Sequence, residues 1–212
     1  MMKANNLILS KGTLVDATLI HSSEPKKKRD DNGNIISNEP NDKDASYTSK
    51  RGQKHHGYKI HIATDTNSII KEVVTTTAKV HDSTQFEKLT EDESKAVFAD
   101  SGYMSKERKR SLRERGIFCG IVERRVRGQK ELRAKQSRNN QRFAKVRALV
   151  EMPFAFIKRL MNYTETRYLG LHKNSQHHYL LAAAYNLRRI PKLLEALSKN
   201  EKYPKRLIQI GA

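Results

Sequence analysis

Residues 12–20 read GTLVDATLI and residues 96–100 read AVFAD. Both are short apolar runs that carry a single acid, Asp16 inside the first and Asp100 at the end of the second. Runs of that length, flanked by polar segments, specify strands. Working outward, Tyr58 to Thr64 alternates Tyr58, Ile60 and Ile62, and Ile69 to Thr77 supplies another strand. The turn Asp65-Thr66-Asn67-Ser68 joins these two as a hairpin. His81-Asp82-Ser83 can cap a short helix carrying Phe86 and Leu89. Ser105 caps and Gly116 ends a short basic helix, and the strand Ile117 to Val122 follows.

From about Leu132 to Met161, the residues Phe143, Val146, Val150, Phe154, Ile157 and Met161 recur at three- and four-residue spacings, which is one apolar helical stripe. Pro153 interrupts it. An interior proline costs about 3 kcal/mol, so a kink or restart is predicted just after Glu151. A last helix, roughly Gln176 to Ser198, is apolar over Tyr179 to Leu187 and is expected to pack on the sheet. Three strands, a helix, a strand, a helix, a strand and a long helix make the element order of a ribonuclease-H-like α/β domain, a mixed sheet flanked by helices.

Between the first two strands lies SSEPKKKRDDNGNIISNEPNDKDASYTSKRGQKHH, Ser22 to His56, with hardly any apolar residues to offset its ordering entropy. It reads as a long exposed insertion. The predicted organisation is one catalytic-type domain over residues 1–198, with 22–56 as a polar insertion and 199–212 as a C-terminal tail.

At 212 residues the chain has room for one core, and with 36% apolar residues and no Trp that core is small. Lys and Arg number 42 against 23 Asp and Glu, a net charge of +19 that calls for a polyanionic partner. Nucleic acid is the first candidate, although a membrane surface or a ribosome would attract the same sign. From Met104 to Arg147 there are 16 Lys and Arg against 4 Asp and Glu, and this run leads straight into the Glu151 helix. Such a run is either a plain solvated face or, as its place before Glu151 favours, a contact with DNA phosphates that predicts salt-dependent binding. Lys26-Lys27-Lys28-Arg29, inside the polar insertion, reads as a phosphate contact or a solubility device. Cys119 is the single cysteine, which points to a reducing compartment. No run approaches the roughly 20 apolar residues of a membrane span, so the expected location is cytoplasmic.

Three acids stand at informative places: Asp16 in the first strand, Asp100 at the end of the fourth, Glu151 on the helix after the fifth. In the inferred topology the first and fourth strands are neighbours and the helix packs alongside, so the three carboxylates are expected to converge. Like charges that close stay ionised only with cations between them. All-oxygen ligation suits Mg²⁺ or Mn²⁺, and two such ions about 3.5 to 4 Å apart serve an in-line displacement at phosphorus. Arg147, Glu151 and Lys158 fall within about 40° of one another around an ideal helix, either to hold metal and flanking phosphates or as a plain Arg147–Glu151 surface pair. The histidines show no His-Glu-x-x-His or paired-cysteine zinc spacing.

The segments GTLVDATLI, HGYKIHIATD, KVHDSTQF, VFADSGYMSKE, VRALVEMPFAFIKR and YLGLHKNSQHHYLLAAAYNL resemble, in order, the catalytic core of bacterial insertion-sequence transposases of the DDE class, from about Gly12 to Leu194. That resemblance implies that Asp16, Asp100 and Glu151 are the catalytic, metal-binding acids, and that Arg147 and Lys158 complete a signature of arginine, glutamate and lysine. With Arg142, Lys145 and Arg159 they are expected to contact DNA. It also implies that His81-Asp82 lies near the site as a support behind the acids, with a helix cap for Asp82 as the alternative. The expected activity is metal-dependent cleavage of transposon ends and strand transfer to target DNA, by a homo-oligomer on bacterial nucleoid DNA. Two departures stand out. Ala144 occupies the place where many relatives have a tyrosine before the signature arginine, and Met1 lies only fifteen residues before Asp16. The second departure suggests a split frame whose N-terminal part is a separately encoded partner, or a truncated remnant that only binds nucleic acid. A related nuclease that cuts without joining would share the same site.

Overall fold

The computed structural model describes residues 12–24, 28–33, 35–37, 41–50, 52–93, 95–125 and 127–199. The apolar run around Asp16 forms β1 (Thr13–His21), at the centre of an open, mixed six-stranded sheet. β1 lies antiparallel to β5 (Gln53–Thr64) and parallel to β7 (Ala96–Ala99). β7 pairs in parallel with β8 (Phe118–Ile121), and β5 carries both β4 (Ser46–Lys50) and β6 (Ile70–Thr77) on its other side. A separate two-stranded ribbon joins β2 (Lys28–Arg29) to β3 (Ile35–Ser37).

Side chains of successive strand residues point to opposite faces, and each face has its own core. Leu14, Ile62 and Phe98 face Val146, Val150, Ile157, Leu181 and Tyr185. These belong to α3 (Ala134–Arg147), a 3₁₀ turn at Ala148–Val150, a π turn at Phe156–Leu160 and α5 (Leu171–Ser198). Val15, Ala63, Val97 and Ala99 face Phe86 and Leu89 of α1 (Phe86–Leu89) and Leu112 of α2 (Lys106–Glu114). Ser105 Oγ accepts the Arg108 N–H at 3.0 Å and Gly116 follows α2 at φ +68°, so both ends of α2 fall where the residue types predict. Asn186 of α5 meets the start of β6 as a strand would, accepting from Ile70 N and donating to Ile70 O, both at 2.9 Å.

The polar stretch 22–56 is not simply an exposed loop in its described part. β4 and the first residues of β5 extend the main sheet, Tyr47 packs on His56 with ring centroids 4.6 Å apart, and Asp42 and His56 are buried. Composition hides this because the ordering comes from polar contacts. Asp42 accepts from the Tyr58 hydroxyl at 2.7 Å and from Gly170 N at 3.2 Å, and Asp44 accepts from Leu171 N at 2.8 Å. Those two acids supply the cap that starts α5 at Leu171, five residues before the predicted start at Gln176. Lys26, Lys27 and the tail from residue 200 onward lie outside the described residues.

The predicted restart near Pro153 occurs just before Glu151, at the 3₁₀ turn, and α4 (Glu151–Ala155) begins there. Pro153 has no N–H to offer the carbonyl of Leu149, four residues earlier. The Ser68 hydroxyl, from the β5–β6 turn, donates to that oxygen at 2.8 Å. Ser68 is fully buried, at φ +60°, in a turn held by Asp65 Oδ1, which accepts from Asn67 N and Ile69 N. Ser68→Ala is expected to lower unfolding free energy by about 1 kcal/mol by removing this bond and leaving the Leu149 carbonyl only the Glu151 N–H. Urea denaturation measures it, and an unchanged midpoint would refute this role for the hydroxyl.

Candidate active site

Asp16 and Asp100 meet because β1 and β7 are parallel and in step: Val15 pairs with Ala99, and each acid is the next residue. Leu14 and Phe98, two positions earlier, face the layer of α3 and α5, so both acids continue onto that same face. Asp16 Oδ1 accepts from Ala17 N at 2.8 Å, and Asp100 Oδ1 accepts from Ser101 N at 2.7 Å, which turns the chain sharply out of β7 into a 3₁₀ turn at Ser101–Tyr103. Burial pushes the Asp16 carboxyl up from its ordinary range, and the charges of Asp100 and Asp82 push it further, while the Ala17 N–H and Arg147 pull it back. Asp16 thus holds its charge at a cost that a cation would relieve.

Arg147, the last residue of α3, spans the pair. Its Nη1 donates to Asp100 Oδ1 at 3.4 Å and its Nη2 lies 3.8 Å from Asp16 Oδ2. The guanidinium is mostly buried, and its Nε has no hydrogen-bond partner. Glu151 is exposed and does not join the two aspartates: among the described residues no three acidic, histidine or cysteine side chains stand close enough to share an ion. The expected face of Arg147, Glu151 and Lys158 assumed one uniform helix. A 3₁₀ turn advances about 120° per residue where an α-helix advances about 100°, so three such residues carry Glu151 roughly 60° further round. The π turn then alters the spacing to Lys158. Lys158 is half-buried, and burial together with neighbouring Lys50 pulls its amine below the usual value. Arg142, Lys145 and Arg159 are exposed.

A 3₁₀ turn at Asp82–Gln85 leads into α1, and its cap comes from the imidazole of His81, whose Nδ1 accepts from Ser83 N, and not from Asp82. Asp82 pairs with Lys59 at 2.8 Å instead, and its charge reaches Asp16, His61 and Tyr103. A cleft of about 260 Å³ opens beside the acids, lined by Ala17, Thr18, Lys50, Lys59, His81 and Asp82 among others. His61, buried on β5 opposite Ala17, is pushed down to about 4 by burial and is therefore neutral at pH 7.

Tyr103, Lys59 and Arg124 belong to this cluster although no spacing rule singled them out. Arg124 reaches Ser101 Oγ with Nε at 3.0 Å, beside Asp100. Tyr103 is buried, its hydroxyl has no partner, and burial plus the charges of Asp82, Asp16 and Asp100 raise its pKa. The available signal was its place in VFADSGYMSKE, three residues after Asp100. Tyr103→Phe removes an unpaired buried hydroxyl, so thermal melting should show stability unchanged or higher by about 1 kcal/mol. A clear loss would mean that the hydroxyl is bonded in solution.

Comparison with known proteins supplies two findings. A family model described as transposase DDE domain matches residues 9–187. The chain is also similar in fold, at a TM-score of 0.52 and 11% identity, to a piggyBac transposase solved by cryo-EM in a synaptic complex with hairpin DNA. The match covers 91% of this chain and 49% of that one, so the chain spans about half the length of that relative. At this identity the likeness is one of fold, and it agrees with a ribonuclease-H-like α/β sheet flanked by helices.

Proposed function

The chain belongs to the transposase DDE-domain family, and from that premise we propose that it is a DNA transposase core that cuts insertion-sequence ends and joins their 3′-hydroxyls to target DNA. The single observation that carries the reading is the pair Asp16 and Asp100, delivered to one face of the sheet by the in-register β1–β7 pairing.

The residues present fit a divalent ion in part. Two hard carboxylates stand together in a partly desolvated place, which suits Mg²⁺ or Mn²⁺, whereas Glu151 stands apart from them. When bound, paired ions of this kind activate a hydroxyl and stabilise the leaving oxygen at phosphorus. In our reading Asp16 and Asp100 hold the metal, and Glu151 is the third acid, supported by its position one turn after Arg147 on the helical run packed beside β1. Lys59 and His81-Asp82 orient the acids from the cleft side. Arg142, Lys145, Lys158 and Arg159, with the basic run from Met104 to Arg147, hold phosphates of transposon-end and target DNA. Assembly as a homo-oligomer on DNA, a separately encoded N-terminal partner and a location on the nucleoid in the bacterial cytoplasm belong to the same proposal. Among the described residues no helix is long and apolar enough to cross a membrane.

One observation favours the rival reading, a basic nucleic-acid-binding protein without catalysis: the absence of a three-acid group among the described residues. Supercoiled plasmid and a 3′-hydroxyl oligonucleotide, incubated with the protein and Mn²⁺, discriminate. Mn²⁺-dependent nicks and joined products are expected. DNA binding without any Mn²⁺-dependent product would overturn the enzymatic reading.

A further inference from the structure

Arg147 occupies a place where a metal-binding pair of acids would hold a cation. Its two terminal nitrogens lie 3.4 Å from Asp100 Oδ1 and 3.8 Å from Asp16 Oδ2, and no other cationic side chain is paired with either acid among the described residues. Resting on the reading of these acids as metal ligands, we infer that Arg147 is a built-in stand-in for the ion: it offsets part of the pair's negative charge before metal arrives and must be displaced for metal to bind.

The argument is one of shared oxygens. Magnesium sits about 2.0–2.1 Å from its carboxylate oxygens and tolerates little departure from octahedral geometry. A guanidinium still bound to those oxygens would lie within about 4 Å of a doubly charged ion, where like charges repel most strongly in a partly buried site. Arg147 and the ion therefore compete for Asp16 and Asp100. The competition has a structural outlet. Arg147 is the final residue of α3, directly before the 3₁₀ turn Ala148–Val150, so its side chain swings from a helix end and not from mid-helix. Its Nε, buried without a partner, gives up no hydrogen bond on leaving. A planar, always-charged fork freed beside a metal site is suited to bidentate capture of a phosphate. Metal binding and phosphate binding are then coupled: each phosphate that draws Arg147 outward uncovers the acids for an ion, and each ion that takes the acids releases Arg147 to phosphate.

Calorimetric titration of the full chain with Mn²⁺ alone tests this, on the parent, Arg147→Gln, Arg147→Lys and Asp100→Asn. Arg147→Gln should bind Mn²⁺ about tenfold or more tightly than the parent, and Arg147→Lys, which keeps a competing charge, should stay close to the parent. Melting curves with and without Mn²⁺ guard against misfolding: the Mn²⁺-induced rise in melting temperature should be larger in Arg147→Gln than in the parent. Equal or weaker Mn²⁺ binding by Arg147→Gln, with binding still lost in Asp100→Asn, overturns the stand-in role and leaves the metal site intact. Mn²⁺ binding that is indifferent to Asp100→Asn overturns both.

Discussion

Asp16→Asn and Asp100→Asn are each expected to lower metal-dependent DNA cleavage by a factor of about a thousand or more. Both acids supply oxygens to one ion site in the proposed reaction, and an ion that activates one oxygen and stabilises another contributes several kcal/mol to the barrier. At about 1.4 kcal/mol per factor of ten, loss of that contribution reaches three powers of ten. Single-turnover nicking in Mg²⁺ measures it, and a variant within tenfold of the parent would remove its acid from the mechanism. The same substitution at Asp16 has an opposite effect on stability, and the sign follows from linkage. A freely solvated aspartate carboxyl has an ordinary value of 3.8, and burial raises it in the folded chain. The folded state therefore binds the proton more tightly, its benefit is complete below 3.8, and it is lost as pH rises through the raised value. Asp16→Asn abolishes the burial of an ionised group, so at neutral pH the variant should melt above the parent, with the difference shrinking toward pH 3. A variant that melts lower at neutral pH would show that the Arg147 contact outweighs burial.

Gly57→Ala is expected to have the largest effect on folding. Gly57 sits at φ +152° where β5 passes from pairing with β4 to pairing with β1, facing His21 on one side and Ser46 on the other. A β-carbon there would stand 2.1 Å from the Ile20 carbonyl oxygen, inside β1, and 2.9 Å from Ser22 N, just past its end and bonded to the His56 carbonyl. Neither can yield without opening the ladder, and the Gly57 carbonyl also accepts from Ala78 N. Overpacking and backbone strain together amount to about 3–5 kcal/mol, a large share of a typical domain's stability. Urea denaturation reads it, and a loss under about 1 kcal/mol would mean that the strands separate more easily than their pairing implies.

The strands at Thr13, Tyr58, Ile69, Ala96 and Ile117 were legible because apolar residues had nowhere else to go. The approach of Asp16 to Asp100 was legible too, since it follows from the order of strands. β4 was not: Ser46–Lys50 is ordered by pairing with β5, in a segment tied down by Asp42 and Asp44, and composition does not record which carboxylate finds which N–H. The helix break near Pro153 was legible, but the 3₁₀ turn that directly precedes Glu151 was not. A fixed angle per residue cannot anticipate a change of helix type. Nor could spacing tell that Arg147 would take two acids on neighbouring strands, because its partners lie 131 and 47 residues away in the chain.

The parallel pairing of β1 with β7 has a consequence for the order of assembly. Val97 stands 84 positions after its partner Thr13, whereas the β5–β6 hairpin closes over the five residues from Asp65 to Ile69. Short loops form first and distant pairings are slow, so the hairpin is the natural early nucleus and β7 docks late. On that order the two carboxylates come together, and acquire their mutual repulsion, only when β7 joins β1 and both helical layers close over it.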